Sequence, residues 1–173
     1  ICVPSQAYRS CSKMTLAQIA WYQAQNLPSY RLDPPSLLNG SQTLDEVWDY
    51  VEKHTDEQQA VLVYSSDTPE MVRKYQELGT ERIAALLEQT SSDLARRAVD
   101  HGYTRIISAG GETSGAVTKG LHFSSYQIGE SIAPGVPVMV PATRPDIRLV
   151  LKSGNFGQED FFGRALSMTR KKA

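Results

Sequence analysis

The chain alternates between short apolar runs and longer amphipathic segments. The clearest apolar runs, at residues 59–64, 104–108 and 148–152, are rich in β-branched residues and end at small polar residues or glycine. Such runs are typical of strands in a parallel sheet that is covered on both faces. Apolar residues recur at helical spacing in residues 15–22, 43–53 and 69–100. This order predicts an α/β fold: a mostly parallel sheet with helices on both faces and glycine-rich loops at strand C-terminal ends.

The start of the first predicted helix combines capping residues with an apolar face. Ser10 and Ser12 stand just before the helix, where residues that cap a helix N-terminus are preferred. Leu16, Ile19 and Ala20 occupy adjoining positions on one side of that helix and are expected to form its apolar stripe. Without further information, both serines are interpreted as simple capping residues.

A glycine-rich stretch follows the strand predicted at residues 104–108. Gly110 and Gly111 are expected to turn the backbone through conformations that other residues avoid. Thr113 or Ser114 can then cap a new helix. A strand, a glycine turn and a helix together present backbone N–H groups and the positive end of a helix dipole to an anion such as phosphate. A tight turn that binds no ligand explains this stretch equally well.

The spacing of this stretch departs from the two best-known phosphate loops. Gly110 and Gly115 have the separation of a Walker loop, but Ala116 and Val117 stand where Lys and Ser or Thr are required. Glu112 occupies the place of the second glycine in the dinucleotide-binding pattern. The spacing therefore indicates only a turn suited to phosphate, and it argues against a dinucleotide-dependent oxidoreductase.

A second glycine loop follows the strand predicted at residues 148–152. Residues 153–160, Ser-Gly-Asn-Phe-Gly-Gln-Glu-Asp, lead into a final predicted helix that begins at Phe161. A parallel sheet places the carboxyl ends of its strands along one edge, so that two such loops can line the same cleft. The pair of loops is a stronger indication of a ligand site than either loop alone.

Composition narrows the class of protein without indicating its ligand. The 173 residues are 40% hydrophobic and 21% charged, with a net charge of −1, as expected for one globular domain. This charge predicts no attraction to nucleic acid or to an anionic membrane, and no apolar run is long enough to span a bilayer. Two cysteines, Cys2 and Cys11, are too few for a disulfide framework, so a reducing, cytoplasmic location is expected. No cluster of His or Cys residues has metal-binding spacing. The chain opens at Ile1 rather than methionine, which indicates a piece of a longer protein.

Several motifs together resemble one known family. They are Gly-Gly-Glu-Thr-Ser-Gly at 110–115, Ile-Ala-Pro-Gly-Val-Pro at 132–137, Leu-Lys-Ser-Gly-Asn-Phe-Gly at 151–157 and Glu-Asp-Phe-Phe at 159–162. In combination they resemble the C-terminal nucleotide-binding domain of the four-carbon acid sugar kinases, which include 3-oxo-tetronate, D-threonate and D-erythronate kinases. Ser10-Cys-Ser12, Thr15 and Gln18 resemble the opening motif of that domain, although Arg9 stands where the family usually has glycine.

The resemblance implies the nucleotide-binding part of an ATP-dependent kinase. Residues 1–173 would form a single C-terminal domain that binds ATP or ADP with Mg²⁺, and an N-terminal domain absent from this chain would bind the four-carbon acid sugar. Catalytic residues stay unassigned, no metal ligand is predicted, and a homo-oligomer is compatible with this interpretation. The implied nucleotide contacts are Ser10, Ser12, Gly110, Gly111, Glu112, Thr113, Ser114, Gly115, Lys152, Gly154, Asn155 and Gly157.

Three of the implied or neighbouring residues keep two interpretations each. Lys152 and Lys119 are expected either to supply positive charge to phosphates or to be ordinary surface lysines. Glu112 is expected either to orient Mg²⁺ through water or to cap a turn. At the level of function, a non-catalytic module that senses nucleotide or phosphate is the alternative to a kinase domain.

Overall fold

The computed structural model describes residues 2–4, 12–56, 59–65, 69–77 and 79–170. In chain order its strands are β1 (Cys2–Pro4), β2 (Ser29–Arg31), β3 (Leu62–Tyr64), β4 (Arg105–Ala109), β5 (Tyr126–Ala133), β6 (Val136–Pro141) and β7 (Arg148–Lys152). Its helices are α1 (Lys13–Ala24), α2 (Pro34–Asn39), α3 (Leu44–His54), α4 (Pro69–Glu77), α5 (Thr80–Asp100), α6 (Gly111–Leu121) and α7 (Phe161–Met168). The prediction of an α/β fold is confirmed. None of the described helices is both long enough and apolar enough to cross a membrane.

The strands of the described chain form one mixed sheet in the order β2-β3-β1-β4-β7-β6-β5. The five strands from β2 to β7 pair in parallel, whereas β6 pairs antiparallel with both β7 and β5. Pro134 and Gly135 are the only residues between β5 and β6. Two residues cannot make the long crossover that parallel neighbours need, so this link gives an antiparallel hairpin.

The sheet is covered on both faces because successive strand residues point in opposite directions. Ile106 and Leu149 belong to a core cluster with α3, α5 and α6, in which Trp48 is fully buried. Ile107 and Val150 belong to a second cluster, which includes buried residues of α1 and α7. Continuous apolar runs in β4 and β7 therefore supply both cores, as the sequence pattern predicts.

Local side-chain chemistry sets the ends of the helices. Thr43 and Glu46 form a reciprocal capping box at the start of α3, with hydrogen bonds of 2.9 and 3.3 Å. At α2, Asp33 accepts a hydrogen bond from the Ser36 amide as N-cap, and Pro34 stands at the first helical position. A proline there costs no hydrogen bond, because the first N–H groups of a helix have no partner within it.

The buried face of α1 differs from the predicted apolar stripe. Ile19 is buried as expected, but Ala20 is exposed and Leu16 is only half-buried. Thr15 and Gln18, both polar, are fully buried. Their burial is explained by hydrogen bonds to the second glycine loop, described below, rather than by apolar packing.

Candidate functional site

The two glycine loops lie side by side at the carboxyl edge of the parallel strands. Strands β4 and β7 are neighbours in register from Arg105 opposite Arg148 to Ala109 opposite Lys152. Immediately after the strands end, the Gly110 amide donates a hydrogen bond of 2.9 Å to the Lys152 carbonyl. The backbone therefore joins the start of the first loop to the base of the second.

Helix α6 starts earlier than the sequence indicates. Its N-cap is Gly110, with φ of 117° and no side-chain capping bond, and its first helical residue is Gly111. The expectation that Thr113 or Ser114 caps this helix is therefore wrong. The buried Ser114 hydroxyl lies 3.3 Å from the Ser108 hydroxyl and 3.4 Å from the Lys152 carbonyl, so it is used in packing the helix onto the strands.

The first turn of α6 begins with Gly111 and Glu112, which are both exposed. Only Gly110 of the two adjacent glycines has positive φ, so the expectation that both adopt unusual backbone angles is wrong for Gly111. Among the residues that the structure describes, a Cβ atom added at Gly111 would meet no atom within 4 Å. The amides of Gly111 and Glu112 receive no oxygen from an N-cap side chain. Exposed first-turn amides and the positive end of the helix dipole together favour an anion at this position.

Polar side chains of α1 hold the second glycine loop. The Thr15 hydroxyl donates to the Gly154 carbonyl at 3.0 Å. Gln18 Nε2 donates to the carbonyls of Phe156 and Gln158 at 3.1 and 2.9 Å. Periodicity alone gave no reason to assign these side chains a role, although both belong to the opening motif of the family resemblance. Both side chains fix the loop backbone and are therefore interpreted as positioning residues.

A second link joins the start of α1 to this loop through side chains. Ser12 caps α1 by accepting a hydrogen bond from the Thr15 amide at 3.3 Å, so its own hydroxyl hydrogen is available for donation. It donates to Asn155 Oδ1 at 2.7 Å. This contact fixes the orientation of the Asn155 amide and leaves its Nδ2 hydrogens for another partner. Ser10, the other predicted contact of the opening motif, lies outside the described residues.

Lys152 lies beneath the second loop, and only 2% of it is exposed. Its Nζ donates to the carbonyls of Ser153 and Gly154 at 3.0 and 2.9 Å and lies 5.5 Å from the centre of the Phe161 ring. Burial lowers the pKa of its ammonium group to about 8. The interpretation of Lys152 as an ordinary surface lysine is therefore wrong, whereas Lys119 is exposed near the end of α6.

Glycine is required at position 157 for two reasons. Its φ is 82°, in the left-handed region, and an added Cβ would lie 2.5 Å from Cδ2 of Phe161. The neighbouring residue Phe156 is 43% exposed. Phe156 is one of two large hydrophobic residues that are exposed in the described chain, and the sequence analysis gave it no role.

A cavity of about 620 Å³ lies between the second loop and the turn of the β5–β6 hairpin. Residues of the motif at 132–137 and of the motif at 151–157 both line this cavity. Arg164, on α7, also faces this cavity and was not singled out from the sequence. The lining residues are Ser131, Ile132, Ala133, Pro134, Asn155, Phe156, Gly157, Gln158 and Arg164.

The fold and the paired loops define an α/β domain with two glycine loops at the carboxyl edge of its parallel strands. The chain belongs to the family described as the nucleotide-binding C-terminal domain, whose family model matches residues 9–162. It is 43% identical over 159 residues to a 3-oxo-tetronate kinase of Pseudomonas fluorescens and 40% identical over 160 residues to one of Actinobacillus succinogenes. A crystal structure of a Haemophilus influenzae protein of the DUF1537 family covers 98% of the chain with a TM-score of 0.89 and 34% identity.

The chain spans little more than a third of these relatives. The matches cover 91% and 92% of this chain but only 36% and 38% of the two kinases, and 40% of the H. influenzae structure. The similarity therefore concerns one domain of larger proteins.

The buried position of Lys152 predicts an unusual dependence of stability on pH. In the unfolded chain its ammonium keeps its proton up to pH about 10.5, whereas the folded chain releases it near pH 8. Between these values the unfolded state binds more protons, so raising the pH favours the folded state. We expect the free energy of unfolding of the parent, relative to Lys152→Met, to rise by roughly 1–3 kcal/mol across this window, measured by denaturant titration at several pH values.

The exposed Lys119 supplies the matched control. Lys119→Met should follow the pH dependence of the parent, because it removes an exposed side chain and leaves the buried Lys152 in place. Parallel pH curves for the parent and Lys152→Met would show that Lys152 is not perturbed by burial.

Proposed function

We propose that this chain is the ATP-binding domain of a kinase that phosphorylates a four-carbon acid sugar, a 3-oxo-tetronate or a tetronate. The observation that supports this most is the hydrogen bond between the Gly110 amide and the Lys152 carbonyl, which places two glycine loops beside the uncapped start of α6. The relatives named 3-oxo-tetronate kinase and the nucleotide-binding family supply the reaction and the substrate class.

In this proposal the phosphates of ATP bind across the edge of β4 and β7. The first amides of α6, from Gly111 onward, donate to the phosphate oxygens on one side. The backbone from Gly154 to Gly157 approaches from the other side. Phosphoryl transfer depends mainly on positioning and on neutralising charge, which fixed amides at a helix start provide.

Mg²⁺ would arrive with the nucleotide. Among the described residues, no group of three or more His, Cys, Asp or Glu side chains could hold a metal ion. Nucleotide-bound Mg²⁺ usually keeps several waters and takes only one or two protein carboxylates. Glu112, exposed in the first turn of α6, fits that requirement.

The cavity of about 620 Å³ suits the base of the nucleotide. Its exposed Phe156 ring offers a flat apolar surface on which a base can stack, and buried Ile132 and Ala133 supply further apolar wall. The Asn155 amide, oriented by Ser12, can donate to a ring nitrogen or hydroxyl. The second loop would thus hold phosphates with its backbone and the base with its side chains.

The acceptor is expected to be bound by a part of the protein outside this chain. The three histidines of the described residues are all used at helix ends: His54 and His101 contact carbonyls one turn earlier, and His122 ends α6 with φ of 54°. None of them lies among the residues that line the proposed base cavity. The proposal therefore treats residues 1–173 as one C-terminal domain and leaves the catalytic base unassigned. A cytoplasmic location and a role in carbohydrate metabolism go with this proposal.

Gly111→Val should weaken ATP binding and leave the fold mostly intact. A Cβ here meets no atom of the described residues, but in the proposal a branched side chain obstructs phosphates bound at the first α6 amides. We expect the dissociation constant of Mg·ATP to rise at least roughly tenfold by calorimetry, the loss of one or two charge-assisted hydrogen bonds.

Ala85→Val is the matched control for that substitution. Ala85 is exposed on α5, so the same kind of side chain is added to a helix surface away from the loops. If Gly111→Val binds ATP as the parent does, α6 does not hold the phosphates.

Phe156→Ala should separate base binding from phosphate binding. Because stacking of one base contributes about 1–3 kcal/mol, we expect ATP affinity to fall roughly tenfold while the affinity for inorganic tripolyphosphate is unchanged. Ile128→Ala is the control, since Ile128 on β5 is 68% exposed and does not line the cavity. Equal losses for ATP and tripolyphosphate would mean that Phe156 supports the loop rather than the base.

The chain by itself should bind ATP without phosphorylating an acid sugar. Phosphoryl transfer needs an acceptor hydroxyl held in line, and the proposal assigns that task to another domain. We expect no acid-dependent ADP or phosphorylated product by mass spectrometry with Mg·ATP and a panel of tetronates and 3-oxo-tetronates. Sustained acid-dependent product would show that the acceptor site lies within these 173 residues. A longer form of the protein that binds ATP but also gives no product would favour the alternative, a nucleotide sensor.

A further inference from the structure

Two consecutive carbonyl groups of the second glycine loop accept hydrogen bonds from the same buried nitrogen. Lys152 Nζ donates to the Ser153 carbonyl at 3.0 Å and to the Gly154 carbonyl at 2.9 Å. The Thr15 hydroxyl also donates to the Gly154 carbonyl, at 3.0 Å. The Phe156 amide donates to the Ser153 carbonyl at 3.3 Å and closes a tight turn. Both peptide groups are therefore held by donors at their carbonyl ends.

The direction of these carbonyls sets the direction of the next two amides. The peptide bonds of the described chain are trans, and a planar trans peptide group points its C=O and N–H bonds in opposite directions. The Ser153 carbonyl shares a peptide group with the Gly154 amide, and the Gly154 carbonyl shares one with the Asn155 amide. The amides of Gly154 and Asn155, called the turn amides below, consequently point away from Lys152 Nζ.

The turn amides donate to no oxygen of the residues that the structure describes. Gly154 is nevertheless buried, and buried N–H groups are almost always paired. Successive N–H groups that point to the same side form a concave site that favours an anion. The turn amides follow β7 directly, in the loop whose base accepts the Gly110 amide at the Lys152 carbonyl. They therefore stand where the nucleotide proposal requires a second set of phosphate donors.

We propose that Lys152 is a positioning residue for the nucleotide phosphates: it holds two carbonyls of the second loop so that the turn amides donate to phosphate oxygens. This inference rests on the proposed nucleotide-binding function and adds the residue that orients the second set of donors. Lys152 acts from beneath the loop rather than by touching the phosphates, because only 2% of it is exposed and both of its hydrogen bonds go to the loop backbone.

The chemistry of lysine suits this task. Its ammonium group has several donors on one nitrogen, so that it can hold two neighbouring carbonyls at once. Its long flexible stem lets that nitrogen reach past the end of β7, where it lies 5.5 Å from the centre of the Phe161 ring. Linked hydrogen bonds polarise one another, so a strong donor at a carbonyl strengthens the N–H group of the same peptide as a donor to an anion.

The test measures binding of inorganic tripolyphosphate to the 173-residue chain by calorimetry and by amide chemical shifts. In the parent, the probe should shift the turn amides together with the first α6 amides, those of Gly111 and Glu112. In Lys152→Met, we expect the shifts of the turn amides to be lost and those of the first α6 amides to remain. The dissociation constant should rise roughly tenfold, the loss of one or two charge-assisted hydrogen bonds.

Two further comparisons separate positioning from the effects of charge and packing. Lys119→Met removes an equal charge from an exposed position and should bind tripolyphosphate as the parent does. Thr15→Val removes the other side-chain donor to the Gly154 carbonyl and should also weaken binding. Thr15→Ser keeps the hydroxyl group and should bind the probe more tightly than Thr15→Val.

The outcomes distinguish this inference from the function on which it rests. Shifts of the turn amides that persist in Lys152→Met, or equal affinities of Lys152→Met and Lys119→Met, would overturn the positioning role. Shifts confined to the first α6 amides in the parent would also overturn it, but would leave the nucleotide proposal in place. A parent without shifts at either loop would contradict both. If Lys152→Met does not fold, equal affinities of the two Thr15 variants would overturn the inference.

Discussion

The candidate site depends on the parallel pairing of β4 with β7. Five register partners end at Ala109 opposite Lys152, and the next amide, that of Gly110, continues the hydrogen bonding to the Lys152 carbonyl. A shift of one residue would turn Ile106 and Ile107 to the wrong cores, so the register is strongly determined by burial. The same register that packs the two cores therefore brings the two loops together. Ser114 and Lys152 are 38 residues apart in sequence and are joined by a hydrogen bond.

The second loop is stable because its carbonyl groups have dedicated donors. A loop held against a protein core must pair its backbone polar groups, and each unpaired group costs about 1–3 kcal/mol. The Gly154 carbonyl accepts hydrogen bonds from both Thr15 and Lys152. Gln18 donates hydrogen bonds to the carbonyls of Phe156 and Gln158. A charged ammonium is costly to bury, and the lowered pKa of Lys152 reflects that cost. Even the neutral amine retains two N–H donors, which suffice for its two carbonyl contacts.

Much of this arrangement follows from sequence, and the exceptions have physical causes. The apolar runs of β3, β4 and β7 are local patterns, and the structure confirms them as strands. The start of α6 was misjudged because Ser114, a good capping residue by itself, bonds to β4 and β7 instead. The face of α1 was misjudged because Thr15 and Gln18 are buried against a loop some 140 residues away. Local periodicity carries no information about such partners, whereas the family motifs did single out both residues.

The anion site proposed at the carboxyl edge of the sheet could not be recognised from the composition of the chain. At the carboxyl edge the donors are backbone amides and a helix dipole, which add nothing to net charge. A near-neutral chain therefore excludes a broad basic surface without excluding a local anion site. Whether a chain can bind an anion depends on whether its hydrogen-bond donors converge on one place. That convergence is set by strand order and register rather than by residue counts.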